Sequence, residues 1–533
     1  MNSISTRTSP RRFFLSCHHL FQTAPGVPFC LLKKTLLASM ESKESVNGDL
    51  REPESRNSDG HDSTTRPPAL TRREQKQLWR KVDLRLMPTV AVMYLFSFMD
   101  RANIGNARLQ GLVTQLDLTG NRYNIALTLY FVSFYVFAIP SNIVIKKFRP
   151  SRWLSGITML WGLITTLMGL VKNYPQLVAV RVCLGLAESG LGCGVFYLFT
   201  LWYPRNMIQT RLGIFWGGAT LAGAFSGLLA YGISFMSGTV GLLGWSWIFI
   251  IEGLCTVVVG FVSLFILVDL PETATFLTPN ERAYLINLKE HDLTPVGEEE
   301  QFELRQLKDA LIDWQVWFQG FLNLFVALAV YGITLFLPSI INGFGFNTTI
   351  SQLLTVPPYV VGTVTVISWG IWSDRIQIRS PFVFAGLSLC LIGFAINISD
   401  ASIGVKYFGT FLIVAGGYSS IPALLAWISS NVVGHYKRGV SISIQVIMSN
   451  IGGVIVSNIY RTQDTPRYIL GHALELGFVA LGIILVPITA LVYRHFNQVR
   501  DQRQREAGEK AVAYSAAELR RLGDHAPDFR YTL

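Results

Sequence analysis

The chain has 533 residues, 45 Lys+Arg against 34 Asp+Glu and a formal charge of +11, yet half of it is hydrophobic and only 15% is charged. Soluble domains carry about 25% charge, so a string of soluble domains is excluded. The surplus of cations does not point to nucleic acid, because they cluster in the tails and at the edges of apolar runs, where they set membrane topology.

The first 40 residues hold Arg7, Arg11, Arg12, Lys33 and Lys34 with no acid, in the manner of an organelle transit peptide. Met40, followed directly by the polar segment 41–76, offers a simpler start, with residues 1–39 a gene-model extension. Segment 41–76 is too polar to bury a core, so residues 1–85 are expected to be a disordered cytoplasmic tail.

From Leu86 onward, apolar runs long enough to cross a bilayer occupy 86–106, 125–146, 153–171, 176–201, 211–235, 245–268, 315–340, 352–373, 381–398, 404–428, 440–458 and 470–493. The expected fold is an all-α membrane protein of 12 transmembrane helices. These make two pseudo-symmetric six-helix bundles, 86–268 and 315–493, followed by a cytoplasmic tail, 494–533. The linker between the bundles, 269–314, contains the capping box Thr278-Pro279-Asn280-Glu281.

Short loops on the side of the N-terminal tail carry Lys146, Lys147, Arg149, Arg152, Arg205, Arg211, Arg375, Arg379, Lys437 and Arg438, against Arg108, Arg122, Lys172, Lys406, Arg461 and Arg467 opposite. The excess places both tails and the linker in the cytoplasm. Two glycosylation sequons, at Asn347 and Asn397, then lie outside, the second too close to the membrane to be a good acceptor.

Ionisable residues at membrane depth are expensive and mark functional candidates. They are Asp100, Arg101, Arg181, Glu188 and Glu252 in the first half and Glu475 in the second. At 1.5 Å per residue, Asp100 lies about 21 Å into a core of roughly 30 Å, level with Arg101 and Arg181, and Glu188 falls near mid-depth. Arg181 and Glu188, seven apart, share a helix face. Such a cluster suits proton-coupled transport of an anion: an arginine holds a carboxylate with two parallel hydrogen bonds, and a neighbouring acid that takes a proton releases it. The plainer alternative is two structural pairs, Asp100–Arg101 and Arg181–Glu188, that neutralise one another. Glu252 fits a packing acid better than a proton carrier.

The second and eighth spans end in related basic turns, Asn142-Ile-Val-Ile-Lys146-Lys147-Phe-Arg149 and Gly370-Ile-Trp-Ser-Asp374-Arg375. Two repeated halves joined by a cytoplasmic link resemble the major facilitator superfamily of secondary transporters. The second turn matches that superfamily's signature apart from Gln377. The first is degenerate, with Lys146 and Arg149 where the pattern has Asp and Gly.

Closer resemblance comes from Phe96-Ser-Phe-Met-Asp100-Arg101-Ala-Asn103-Ile-Gly-Asn106, Arg181-Val-Cys-Leu-Gly-Leu-Ala-Glu188, Trp202-Tyr-Pro-Arg205, Thr355-Val-Pro-Pro-Tyr359, Asn450-Ile-Gly-Gly453 with Ser457-Asn-Ile-Tyr-Arg461, and the tail Leu522-Gly-Asp524…Pro527-Asp-Phe-Arg-Tyr-Thr-Leu533. These strings resemble the fungal allantoate permease family of anion:cation symporters, nearest its nicotinic acid transporter-like branch. The resemblance implies functional roles for Asp100, Arg101, Arg181 and Glu188; the substrate site is expected at Arg101, Arg181 and Asn103, with Tyr331 and Asn450 drawn from the aromatic and amide groups of the second half. It implies proton coupling at Glu188 and Asp100, and conformational roles for Asp374, Arg375 and, at the outer gate, Arg461. Gly192-Cys193-Gly194 and Ser449 depart from the family pattern, which leaves room for a drifted substrate.

The leading expectation is therefore proton-coupled import of a small monocarboxylate such as nicotinate at the plasma membrane, by a monomer whose only partners are the anion, protons and lipid. The alternative is an exporter of an acidic secondary metabolite. A non-transporting nutrient sensor lacks its usual long tail here. An enzyme or ATP pump lacks a Gly-x-Ser-x-Gly elbow, a Walker A string and any intramembrane His. Six scattered cysteines offer neither a disulfide framework nor a metal site, so no cofactor or metal is expected.

Overall fold

The computed structural model describes residues 70–145, 148–293, 304–376, 378–433, 435–507, 524 and 526–533. The transit-peptide and tail expectations for residues 1–69 lie outside them. Every described regular element is helical. We number them α1 (Arg72–Ala107, continuing through a π-helical stretch, Arg108–Leu112, to Gln115), α2 (Arg122–Ile145), α3 (Pro150–Met168), α4 (Tyr174–Glu188), α5 (Gly190–Trp202), α6 (Arg205–Ser234), α7 (Gly244–Ile266) and α8 (Pro279–Leu293). The second half holds α9 (Leu304–Ile312), α10 (Trp314–Gly343), α11 (Thr348–Leu353), α12 (Val356–Ile376), α13 (Ser380–Ile398), α14 (Ile403–Asn431), α15 (His435–Ile459) and α16 (Ile469–Ala507).

Each of the twelve expected spans falls on helix, and nine spans among the described residues are long and apolar enough to cross a membrane. The differences lie at the helix ends and in two divided spans, the one expected at 352–373 being split between α11 and α12. The α1 helix starts at Arg72 rather than 86 because Thr71 and Glu74 form a capping box, Thr71 N–H donating to Glu74 Oε2 at 2.8 Å. The span expected at 176–201 is divided at Ser189 into α4 and α5. The linker contributes two helices of its own, and the first is capped as its sequence predicts, Thr278 N–H donating to Glu281 Oε2 at 2.9 Å. Glu281 also takes Lys81 Nζ at 2.6 Å, tying α8 to the start of α1. Partial burial pushes the Glu281 carboxyl up, but the hydrogen bonds from Lys81 and Thr278 outweigh it and hold it below the usual carboxylate range.

In the first half α3 packs on α7, α2 on α4 and α1 on α6; in the second α13 packs on α14, α10 on α15 and α12 on α14. Across the halves α6 meets α12, α2 meets α15 and α1 meets α10. The hydrogen bonds that cross begin at Thr363–Thr220 (3.0 Å) and gather toward the end that carries Asn347: Thr128–Ser457 (3.0 Å), Asn124 to Tyr460 O (3.2 Å) and Gln110–Gln352 (2.8 Å). At the opposite end the apolar side chains Ile214, Ile371 and Trp372 stand exposed. The halves are thus closed together on the Asn347 face.

The last residues form a strap across the other end of the second half. Asn431 and Thr532 exchange two hydrogen bonds (2.9 and 2.7 Å), Asn497 and Tyr531 two more (both 2.8 Å), and Arg379 N–H donates to Leu533 O at 2.7 Å. Tyr531 stacks on Tyr493 with ring centroids 4.8 Å apart, and Lys437 joins Asp524 (2.8 Å) to Asp313 (2.7 Å) at the start of α10. The strap therefore touches α10, α14, α15, α16 and the turn between α12 and α13.

Candidate functional site

The intramembrane charges sort themselves by which way α1 turns them. Ser97 and Arg101, four apart, share one face and both reach Glu188 at the end of α4. Arg101 donates to Glu188 Oε1 through Nη2 (2.7 Å) and Nε (3.0 Å), and Ser97 Oγ donates to the same oxygen. Tyr130 of α2 donates its hydroxyl to Glu188 Oε2 and accepts from Arg101 Nε at 2.8 Å. The small residue at Gly185 explains the reach, since a Cβ there would collide with Tyr130 O and Ser133 Oγ. The α4 backbone therefore runs against α2. Arg101 is the less enclosed member, its side chain 10% exposed against 0% for Glu188. Its guanidinium lies over Phe134 at 4.9 Å and Phe98 at 6.0 Å, distances at which ring faces hold a cation.

Asp100 turns the other way, into the first half, beside Trp161 and with Glu252, Glu188 and Arg181 as its charged neighbours. Arg181 is 1% exposed, over the rings of Phe249 (5.8 Å) and Tyr130 (6.0 Å), and its Nε and Nη2 have no acceptor among the described residues. The two pairs that a purely structural role would form, Asp100–Arg101 and Arg181–Glu188, are replaced by one direct pair, Arg101–Glu188. Ser97, Tyr130 and Phe134 were not expected from sequence. Only the i, i+4 spacing of Ser97 to Arg101 signalled any of them.

Of the remaining expected substrate residues, Tyr331 packs its ring against Phe131 across the halves (5.1 Å) and Asn450 donates to Val446 O at 2.8 Å within its own helix. Asn103 is otherwise engaged. Its amide donates to Glu252 Oε2 and accepts from Ser226 Oγ at 2.8 Å, inside the first half. The gating residues fare unequally. Asp374 pairs with Arg379 of the same turn (2.6 Å), which hydrogen-bonds the strap, while Arg375 is exposed in the last turn of α12. Arg461 pairs with Asp464 three residues away (2.9 Å).

Arg108 sits where Arg461 was expected. Leaving α1 at the start of its π-helical stretch, its guanidinium lies over Tyr123 of α2 (4.8 Å), Phe336 of α10 (5.9 Å) and Tyr468 before α16 (5.9 Å). One cation thus joins rings from both halves on the Asn347 face. Insertions of π-helix recur at functional sites.

Asn347 is exposed at the start of α11, where its Oδ1 accepts from Ile350 N at 2.8 Å. Asn397 is corrected as an acceptor: it is buried in α13 and donates to Gly393 O at 2.9 Å. On a gel, Asn347→Gln is expected to remove any glycan-dependent mobility shift that endoglycosidase also removes, and Asn397→Gln to leave it. Loss of the shift in the Asn397 variant alone would reverse the assignment.

With this geometry in hand, three comparisons align. The model described as Major Facilitator Superfamily matches residues 90–457. The MFS-type transporter cnsO of Penicillium expansum is 33% identical over 475 residues, 86% of this chain and 91% of that protein. A high-affinity nicotinic acid transporter of Saccharomyces cerevisiae is 30% identical over 462 residues, 86% of this chain and 85% of that protein. In fold, the chain is similar to a bacterial homologue of the human lysosomal transporter Spinster, solved inward-facing and occupied. There the TM-score is 0.58 at 15% identity, covering 76% of this chain and 96% of that one.

Proposed function

The chain belongs to the Major Facilitator Superfamily, and from that premise we propose that it is a proton-coupled symporter importing a small organic anion, a monocarboxylate of the nicotinate class, across the plasma membrane. It is a multi-pass transporter and not an enzyme. The observation that carries the finer reading is the Arg101–Glu188 pair. A guanidinium framed by the rings of Phe98 and Phe134, its side chain 10% exposed, is held by an acid that is fully buried.

The chemistry runs as an exchange of partners. When Glu188 is ionised it occupies Arg101. A proton on Glu188 removes the negative charge, and the planar fork of Arg101 is free for a substrate carboxylate. Tyr331 and Asn450 face the same question from the second half as candidate contacts for the rest of the anion. Asp100 and Arg181, buried together behind α1, supply a second acid and its counter-charge. Asn103 and Arg461 are left out because both are committed elsewhere. Both tails lie in the cytoplasm in this reading, Asn347 faces outside, and the closed face is the outer one. The nicotinic acid transporter relative supports the carboxylate class.

Uptake of radiolabelled nicotinate, pantothenate and allantoate into yeast lacking the corresponding transporters tests it. Uptake of one of these acids is expected to rise as external pH falls from about 7 to 5 and to collapse with a protonophore. Protonophore-insensitive uptake would overturn the coupling, and net efflux of a preloaded acid would reverse the direction.

A further inference from the structure

An acid that this cycle does not use lies behind the closed outer face. Glu475 of α16 is fully buried, and neither of its carboxylate oxygens has a hydrogen-bond partner. Space is made for it by Gly332 of α10, where a Cβ would come within 2.6 Å of Oε1. The titratable groups around it are Cys390 from α13 and Tyr460 at the end of α15, with Tyr468 in the following connection and His472 one turn earlier on α16 packed against the Tyr460 ring. From α10, Gly332 borders it. Tyr460 Oη and His472 Nδ1 are 3.1 Å apart and satisfy each other. Among the described residues no lysine or arginine reaches the carboxylate.

The cover over this acid is the outer closure itself. The Tyr460 ring stacks on Phe336 with centroids 4.7 Å apart, and Phe336 is one wall of the cage around Arg108. The stack belongs to the second half, and its links to the first are Arg108 and Tyr123 against Phe336 and Asn124 donating to Tyr460 O at 3.2 Å, so parting the halves uncovers the rings that enclose Glu475. An ionised carboxylate without a cation or donor is among the costliest groups to enclose, so enclosure selects the protonated form.

We propose that Glu475 is a second proton-binding site, loaded from outside, whose protonation permits the outer face to close. In the open state the carboxyl meets water and gives up its proton; closing the aromatic stack over it takes one proton back from the same side. A closure that binds one proton shifts the closed-to-open ratio by up to about tenfold per pH unit over the range where the open-state carboxyl is ionised. The proposal rests on the alternating access and orientation given above.

Thr334 offers a reporter. It is buried on α10, hydrogen-bonded to the Tyr418 hydroxyl at 2.7 Å, and lines a small closed space between α1, α6, α10 and α12. In a cysteine-free chain carrying Thr334→Cys, labelling by a membrane-impermeant maleimide added outside reads outer opening. Dividing its rate by that of exposed Ser402→Cys, on the same face, cancels the thiol's own pH dependence. The quotient is expected to rise about threefold or more from pH 5 to pH 7 with Glu475 or Glu475→Asp, and to stay flat with Glu475→Gln. A flat quotient in the parent overturns the proposal whether or not any Glu475 variant folds, and so does a rise that persists in Glu475→Gln. Labelling from the cytoplasmic side alone overturns both this and the orientation. A standing pH profile with uptake indifferent to Glu188 overturns the earlier reading alone.

Discussion

Arg101→Lys is expected to reach the membrane normally and to lose about tenfold or more of its uptake at limiting substrate, an effect of roughly 1.4 kcal/mol or more in transition-state binding. Arg101 spends Nε and Nη2 on Glu188 Oε1 and still presents a flat cation, 10% exposed, between two phenylalanine rings. Lysine keeps the charge but concentrates it in one ammonium, which cannot meet a carboxylate through two parallel hydrogen bonds or lie flat on a ring face. Radiolabelled uptake normalised to surface-biotinylated protein measures it. An unchanged KM in the lysine variant would mean that Arg101 serves only to hold α1 against α4.

Glu188→Gln should produce a different failure, loss of uphill accumulation with exchange retained. The glutamine amide is a permanent analogue of the neutral acid, so Arg101 stays free and substrate binding no longer waits for a proton. Counterflow of internal for external substrate then continues while the accumulation ratio falls to about unity, since no proton is carried. One cost is specific to this site. The carboxylate takes donors on both oxygens, from Arg101, Ser97 and Tyr130, whereas an amide offers one accepting oxygen. Some loss of thermal stability should accompany the uncoupling. Continued concentration of substrate by the glutamine variant would move the proton to Asp100, the next acid to replace in the same assay.

The helices were legible because a bilayer imposes a length and a polarity that single residues cannot override, and the linker start was legible because a capping box is a local hydrogen-bond pattern. Depth along a helix was equally readable. Azimuth was not. Asp100 and Arg101 are neighbours in sequence and level in the membrane, yet one helical step turns them about 100° apart, one beside Trp161 and the other onto Glu188 and Tyr130. The pairing of Arg101 with Glu188 depended on how closely α4 approaches α2, which Gly185 permits but does not announce. The partners of Asn103 and Arg461 were illegible for a related reason. Each has the right chemistry for its expected role, but nearer partners, Glu252 and Asp464, had already taken it. Arg108 was counted merely as a loop cation because nothing in its neighbourhood in sequence shows that Phe336 and Tyr468 will enclose it.

The strap has a consequence for how firmly it holds. It is docked by neutral hydrogen bonds, a stacked ring, a lysine shared between two aspartates, Arg500 donating to Phe529 O and Asp524 O, and an Arg530–Asp501 ion pair. Here the docked residues are joined to the end of α16 by the residues numbered 508–523, so rebinding is intramolecular, with an effective concentration in the millimolar range for a short connection. A free peptide of the same sequence would have to compete against that concentration and would lose. Severing the connection anywhere along its length would turn a tethered clasp into an ordinary ligand, and dilution alone would then be enough to release it from the second half.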